Sequence, residues 1–158
     1  LHFAYRHSLL KESGNDDVVL DVVLKLERGN RDEALAQIEK NLQGRKTTQP
    51  LGASSAGCMF KNVEWIDRAQ VAQLEAMYAI PQEYLDRQRI PAGWIIDKLG
   101  LKGTAVGDAE VSHQHGNFLL NKGHATAEDI LALVTKIKKR VASEIGVQLE
   151  EEVVHVGF

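Results

Sequence analysis

The chain has 158 residues, 44% hydrophobic, 26% charged and 6% aromatic, with a formal charge of −3: the balance of a globular protein long enough for one real core, with no basic excess to attract nucleic acid. Its single cysteine, Cys58, excludes an internal disulfide, and no apolar run approaches the roughly 20 residues that cross a bilayer, which favours a reducing, cytoplasmic compartment and no membrane partner. No signal peptide is recognisable, and because the sequence opens on Leu1 with residues that already read as the interior of a structured region, a fragment of a longer protein is expected.

Residues Asp17 to Glu27, "DVVLDVVLKLE", are dense in β-branched and aliphatic side chains between Gly14-Asn15 and Gly29-Asn30, so they predict a mostly buried strand. Asn30 stands three residues before Glu33 in a capping-box-like start, and Leu35, Ile38 and Leu42 follow at helical spacing, predicting an amphipathic helix that Gly44 stops. "RKTTQPLG", Arg45 to Gly52, reads as an extended linker with a domain boundary near Pro50. A helix is expected from about Ile66 to Met77, with Ile66, Ala69 or Gln70, Leu74 and Met77 on one face and Pro81 as its far limit. Pro91 opens the next helix, whose apolar side is Trp94, Ile95, Leu99 and Leu101, before Gly100 and Gly103 end it.

Two short strands are predicted over Ala109 to Ser112 and Asn117 to Asn121. The clearest element follows: Thr126 caps a helix whose stripe is Ile130, Leu133, Val134, Ile137, Val141 and Ile145, closed by Gly146. A final strand is expected over Val147 to Val156. Strands interleaved with helices, without regular βαβ repetition, indicate an α+β fold in which helices pack on a small, mostly antiparallel sheet.

The side chains that could carry chemistry are few. Cys58, in "SSAGCMFKN", follows small residues that let a ligand approach closely, yet a free cysteine commonly packs as a small hydrophobe, and both readings stay open on the residues alone. His113 and His115 share a face if their segment is extended, but no cysteine or spaced histidine completes a metal set, so no metal is expected. In the run Glu150-Glu151-Glu152, strand parity sets Glu151 opposite its two neighbours, leaving room for one inward carboxylate. Lys136, Lys138, Lys139 and Arg140 lie on the polar side of the last helix with no partner assigned.

Five stretches, in this order along the chain, carry a resemblance: "FAYRHSLLK", "TTQPLGASSAGCMFKN", "PAGWIIDKLGLKG", "AEVSHQHGNFLLNKGHATAEDI" and "GVQLEEEV". Together they resemble the C-terminal half of the UDP-N-acetylenolpyruvoylglucosamine reductase (MurB) family, flavoenzymes of bacterial peptidoglycan synthesis. The resemblance implies FAD and NADPH as cofactors and the enolpyruvyl ether of UDP-N-acetylglucosamine as substrate. Reduced flavin gives hydride to the methylene carbon, and the neighbouring carbon must then be protonated.

In that family the position of Cys58 is usually serine and acts as the general acid. A thiol with an ordinary pKa of about 8.5 is still protonated at neutral pH and is a stronger acid than an alcohol, so the role survives the replacement. Glu152 matches the second catalytic acid, although the proline that usually precedes it is Glu151 here. Lys61, Asn62 and His115 match substrate-binding positions, where a cation and polar groups suit a diphosphate and a sugar.

The resemblance further implies that residues 1–50 are the C-terminal part of a second, flavin-contacting α+β domain, 51–146 the substrate-binding domain and 147–158 a C-terminal strand with the second acid. The N-terminal FAD-binding domain of the family is not in the sequence, so this chain by itself is expected to be inactive. The contrasting reading is a stand-alone sugar-nucleotide-binding module without redox chemistry, which a start codon immediately before Leu1 would favour.

Overall fold

A computed structural model describes residues 1–11, 16–64 and 68–157. They fall into two compact units, Leu1–Gln37 and Ile38–Phe158.

In the first unit, Ala4 and His7 form an isolated bridge and Leu9–Lys11 a short 3-10 turn. The strand expected over Asp17 to Glu27 does not form. Residues 16–30 have no regular structure, and the side chains of Val18, Leu20, Val23 and Leu26 stand in solvent, Leu20 and Val23 at 92% exposure. Propensity for strand becomes a strand only where a neighbour supplies ladder bonds, and among the described residues no strand pairs with this segment. Gly14 and Asn15, read as its boundary, lie outside the described residues.

Helix α1 spans Arg31–Thr48. Its predicted cap is present: the Asn30 Oδ1 accepts from the backbone N–H of Asp32 at 2.9 Å and of Glu33 at 3.4 Å. Its predicted stop at Gly44 is not, and the helix runs on to Thr48, through the first four residues of the stretch read as a linker. A glycine inside a helix costs only about 1 kcal/mol against alanine, and the Thr47 and Thr48 hydroxyls both donate to the Gly44 carbonyl at 2.8 Å, which holds the last turn. The predicted apolar stripe is there but uncovered, with Leu35, Ile38 and Leu42 each about half exposed.

The second unit contains the core. Strand β1 (Val63–Glu64) pairs antiparallel with β2 (Arg89–Ile90), and between them lie α2 (Arg68–Met77) and α3 (Gln82–Asp86). Ile66, the expected start of α2, and the side chain of Gln70 lie outside the described residues. Val71 and Leu74 turn inward, whereas Met77, expected on that face, is 47% exposed. Helix α4 (Ala92–Lys98) starts at Pro91, whose φ of −60° is already helical, and buries Ala92, Ile95 and Ile96. Trp94 meets Tyr78 and Tyr84 edge-on, at ring-centre distances of 6.2 and 6.1 Å.

A three-stranded antiparallel sheet follows, in the order β3 (Ala105–Val106), β4 (Ala109–Val111), β5 (Leu119–Asn121). The two predicted strands are β4 and β5, each slightly shorter than expected, and β3 is an addition. Helix α5 (Ala127–Ile145) packs across β3 and β4 and along α4. It begins with a capping box, in which the Asp129 N–H donates to Thr126 Oγ1 at 3.1 Å and the Thr126 N–H donates to Asp129 Oδ2 at 3.0 Å. Gly146 ends it at φ +74°, and Leu133, Val134, Ile137, Val141 and Ile145 are buried as the spacing predicts. The α+β class therefore stands.

The final strand expected over Val147 to Val156 is reduced to one bridge, between Glu151 and Phe60. Val147 and Leu149 are buried, while Val154 and Val156 are in solvent. The reason lies in the neighbour: in antiparallel register with the Phe60–Glu151 bridge, Val154 and Val156 would face Gly57 and Ser55, where the chain turns, so the partner edge runs out.

Candidate active site

The centre of the second unit is an irregular ladder built on residues 58–61. On one side Cys58 bridges to Phe118, and the Met59 N–H donates to the Asn117 carbonyl at 2.8 Å. On the other, the Lys61 N–H donates to the Glu150 carbonyl and the Glu152 N–H to the Met59 carbonyl, both at 2.8 Å. Upstream, the Asn121 N–H donates to the Ser54 carbonyl at 2.9 Å, and Ser55 Oγ accepts from the Gly57 N–H at 3.1 Å. Gly57 has φ +91°, a conformation that side-chain-bearing residues rarely adopt, so the turn presenting Cys58 needs a glycine there.

Cys58 is half-buried at this turn. The backbone bond from Glu152 to Met59 places the second expected acid across from the residue that follows the cysteine. The same pairing sets Lys61 opposite Glu150, and their side chains form an ion pair at 3.0 Å, largely in solvent. Asn62 Oδ1 receives the Ala92 N–H at 3.4 Å, so this amide also helps to start α4. Four of the five expected site residues, Cys58, Lys61, Asn62 and Glu152, thus lie on or beside one ladder.

His115 enters from a turn rather than a strand. Ser112 Oγ accepts from the N–H groups of Gln114 and His115, at 3.1 and 3.2 Å, and folds residues 112–118 back on themselves. The ring of His115 stacks edge-on against Phe118 at 4.9 Å, and its Nδ1 accepts the Asn117 N–H at 3.2 Å. Burial holds its pKa below the ordinary imidazole value, against a hydrogen bond to its own backbone that raises it and with a smaller lowering from the nearby Lys102 ammonium, so the neutral ring prevails at pH 7. The face-sharing histidine pair is absent: His113 is exposed and lies over Gly103 instead. Among the described residues no group of three or more His, Cys, Asp or Glu is placed to hold a metal ion.

Two hollows border these groups. One, of about 350 Å³, is lined mostly by apolar atoms of Ala56, Gly57 and Met59 around Cys58, of Val153 next to Glu152 and of Ile130 on α5, with neither Cys58 nor Glu152 among its described lining residues. The other, of about 380 Å³, is a more polar cleft walled by Thr48, Trp94, Lys102, Gln114 and His115. Lys61 and Asn62 are not among its described lining residues. Gly93 and Gly116 let helix α4 close on the histidine turn: a Cβ at Gly116 would sit 2.7 Å from the Gly93 carbonyl oxygen, and one at Gly93 3.0 Å from the His115 ring.

Two contributors, Asn117 and Lys102, were not singled out by the sequence, and for a third, Glu151, the sequence named the residue but not its partners. Asn117, 3% exposed, turns its side chain onto the backbone of Phe60, with Oδ1 accepting the Phe60 N–H at 2.9 Å and Nδ2 donating to the Phe60 carbonyl at 2.8 Å. An asparagine inside an apolar run is the signal that could have found it. Lys102, paired with Asp97 at 2.9 Å, faces the cleft with His115. Glu151 stands 3.0 Å from Lys138 Nζ and 2.9 Å from His155 Nε2, which ties the segment before Glu152 to α5. Two cations of α5 left unassigned above thus have partners: Lys138 pairs with Glu151, and Arg140 with Glu144.

A family model described as UDP-N-acetylenolpyruvoylglucosamine reductase, C-terminal domain, matches residues 49–156. The chain is 41% identical over 164 residues to the UDP-N-acetylenolpyruvoylglucosamine reductase of Desulfosudis oleivorans, covering 99% of itself and 44% of that protein. It is 36% identical to a protein of the same name from Bacillus licheniformis, covering 98% of itself and 71% of the relative. The crystal structure of the reductase (MurB) from Thermus caldophilus superposes with a TM-score of 0.53 at 34% identity, over 82% of this chain and 37% of that one. The chain therefore spans less than half the length of most of the curated relatives it matches, as the 44% coverage of the Desulfosudis protein illustrates.

Proposed function

The chain belongs to the UDP-N-acetylenolpyruvoylglucosamine reductase family, and from that premise we propose that it supplies the substrate-side, proton-donating part of a reductase acting on the enolpyruvyl ether of UDP-N-acetylglucosamine in peptidoglycan synthesis. In this reading residues 51–146 bind substrate, residues 1–50 are the end of a flavin-contacting domain, and the complete enzyme uses FAD and NADPH in the cytoplasm. The observation that carries it is the ladder at residues 58–61, which draws the turn of Cys58 and the segment of Glu152 onto one backbone frame.

The cofactor would supply hydride. The N-termini of α1, α4 and α5 offer no cradle for its diphosphate. The N-terminus of α5 is closed by the Thr126–Asp129 capping box, that of α1 is capped by Asn30 and followed by two acidic residues, and α4 is too short and already contacted by Asn62. No step through the flavin is therefore assigned to this chain.

What its own residues do is deliver a proton. Once the methylene carbon has gained hydride, the neighbouring carbon carries an electron pair. Cys58 gives its Sγ proton to that carbon, forming the new C–H bond and leaving a thiolate, and the Glu152 carboxyl is assigned the role of assisting and of restoring the proton. Lys61 and Asn62 at the ladder, and neutral His115 with Lys102 at the polar cleft, are donors suited to the phosphate and sugar oxygens of the substrate.

Stopped-flow kinetics of the complete reductase separate the roles. Cys58→Ala should leave flavin reduction by NADPH intact and slow reoxidation by the enolpyruvyl ether about 10²–10⁴-fold, the usual worth of general acid catalysis. Cys58→Ser should retain substantial activity, and Glu152→Gln should slow the same half-reaction. Reoxidation of the Cys58→Ala enzyme at the wild-type rate would return the thiol to the role of packing atom.

A further inference from the structure

Asn117 touches both parts of the site at once. Its carboxamide makes a two-point clasp on Phe60, accepting that residue's N–H and donating to its carbonyl, as a neighbouring strand would. Its own carbonyl accepts the Met59 N–H at 2.8 Å, so three hydrogen bonds from one residue fix the backbone between Cys58 and Lys61. Its own N–H donates to His115 Nδ1. A backbone N–H can only donate, so this bond requires the lone pair on Nδ1 and favours the neutral ring with its proton on Nε2, in competition with the ring's hydrogen bond to its own backbone.

We infer that Asn117 is a positioning residue that holds the Cys58–Lys61 backbone through its side chain and sets the Nε2–H tautomer of His115 through its main chain, registering the proton donor against the polar cleft. The inference rests on the reading of Cys58 and His115 as site residues. It assigns Asn117 no contact with substrate or cofactor. Phe60 and Asn117 are both buried, so water cannot replace the clasp when it is lost. The Phe60 side chain, 1% exposed, anchors the segment from the other direction, and the amide clasp decides how that anchor is turned. The neutral state of the ring, which follows from its burial and from Lys102, is the one in which the tautomer matters.

Asn117→Asp keeps the acceptor for the Phe60 N–H with little change of shape and, when ionised, sets a carboxylate oxygen against the Phe60 carbonyl in place of the donor. In the complete reductase this variant should reduce its flavin with NADPH within about twofold of the wild-type rate and reoxidise with substrate at least tenfold more slowly. In the 158-residue chain with its natural sequence, ¹⁵N shifts of His115 at neutral pH should report protonated Nε2 and bare Nδ1. A variant in which both half-reactions fall together with thermal stability would make Asn117 purely structural and overturn the inference, as would unchanged reoxidation. Protonated Nδ1 in the unaltered chain would overturn it too, and that measurement stands even if Asn117→Asp fails to fold. A wild-type reductase that reduces its flavin but is not reoxidised by the enolpyruvyl ether would instead strike at the proposed function, while the tautomer would still report on the geometry.

Discussion

Substituting alanine for Gly107 probes how much of the second unit depends on one capping box. Gly107 has φ +52°, and a Cβ built there lies 2.6 Å from the carboxyl atoms of Asp129. Gly100, at φ +64° with nothing within 4 Å of its added Cβ, is the natural control. Gly100→Ala should cost only the left-handed backbone term, about 1–2 kcal/mol. Gly107→Ala incurs the same term and must also displace a carboxylate engaged with Thr126, adding about 0.5–2 kcal/mol for the lost cap. The total, about 1.5–4 kcal/mol, lowers the urea midpoint by on the order of 1 M for a chain of this size. Circular dichroism across a urea series measures both variants. In an Asp129→Ala background the steric part vanishes, so Gly107→Ala should then cost the same as Gly100→Ala. Equal costs for the two glycines in the natural background would refute the reasoning, because the clash would then be absorbed without loss of the cap.

Two further outcomes follow from the site. Because the folded state holds His115 below its ordinary pKa of 6.5, the unfolded chain takes up that proton first; the stability it contributes is whole above about pH 6.5 and is lost as acid is added below it. His115→Gln should flatten that part of the stability–pH curve, and an unchanged slope between neutrality and pH 5 would contradict the assignment. Lys61→Ala in the complete reductase should raise the Michaelis constant for substrate about tenfold or more through loss of a charge-assisted hydrogen bond, while folding stability drops by less than about 1 kcal/mol, since the ion pair with Glu150 is mostly solvated. A large stability loss with unchanged substrate binding would make Lys61 a structural cation.

Helix α5 was legible because everything that defines it is local: a Thr126 cap, a glycine terminator and an apolar stripe at 3.6-residue spacing. Helix α4, opened by Pro91, was readable for the same reason. The segment 17–27 was not, because a strand is a property of a pair and its sequence says nothing of whether an edge is available. The final strand shows the converse: Val147 and Leu149 are buried as alternation suggests, but its pairing stops where the edge beside Phe60 stops. At the site, the resemblance singled out Cys58 and Glu152, while their joint frame depends on Asn117, more than fifty residues downstream of the cysteine. Hydrogen bonds between such distant backbones leave no periodic mark. The pairing of Glu151 with Lys138 was hidden in the same way, because each residue read alone is merely a charge on a solvated face.

The close approach of α4 to the histidine turn constrains how this sequence can drift. At position 93 an added methyl would press on the His115 ring, a side chain that can shrink or tilt, so volume can be traded between 93 and 115 over successive substitutions. At position 116 the obstacle is a carbonyl oxygen of the helix itself, which no exchange of side chains removes. Two glycines that look equivalent on the page therefore have unequal histories open to them: one can be exchanged by a lineage that first changes its neighbour, and the other admits no preparatory step without moving the start of α4.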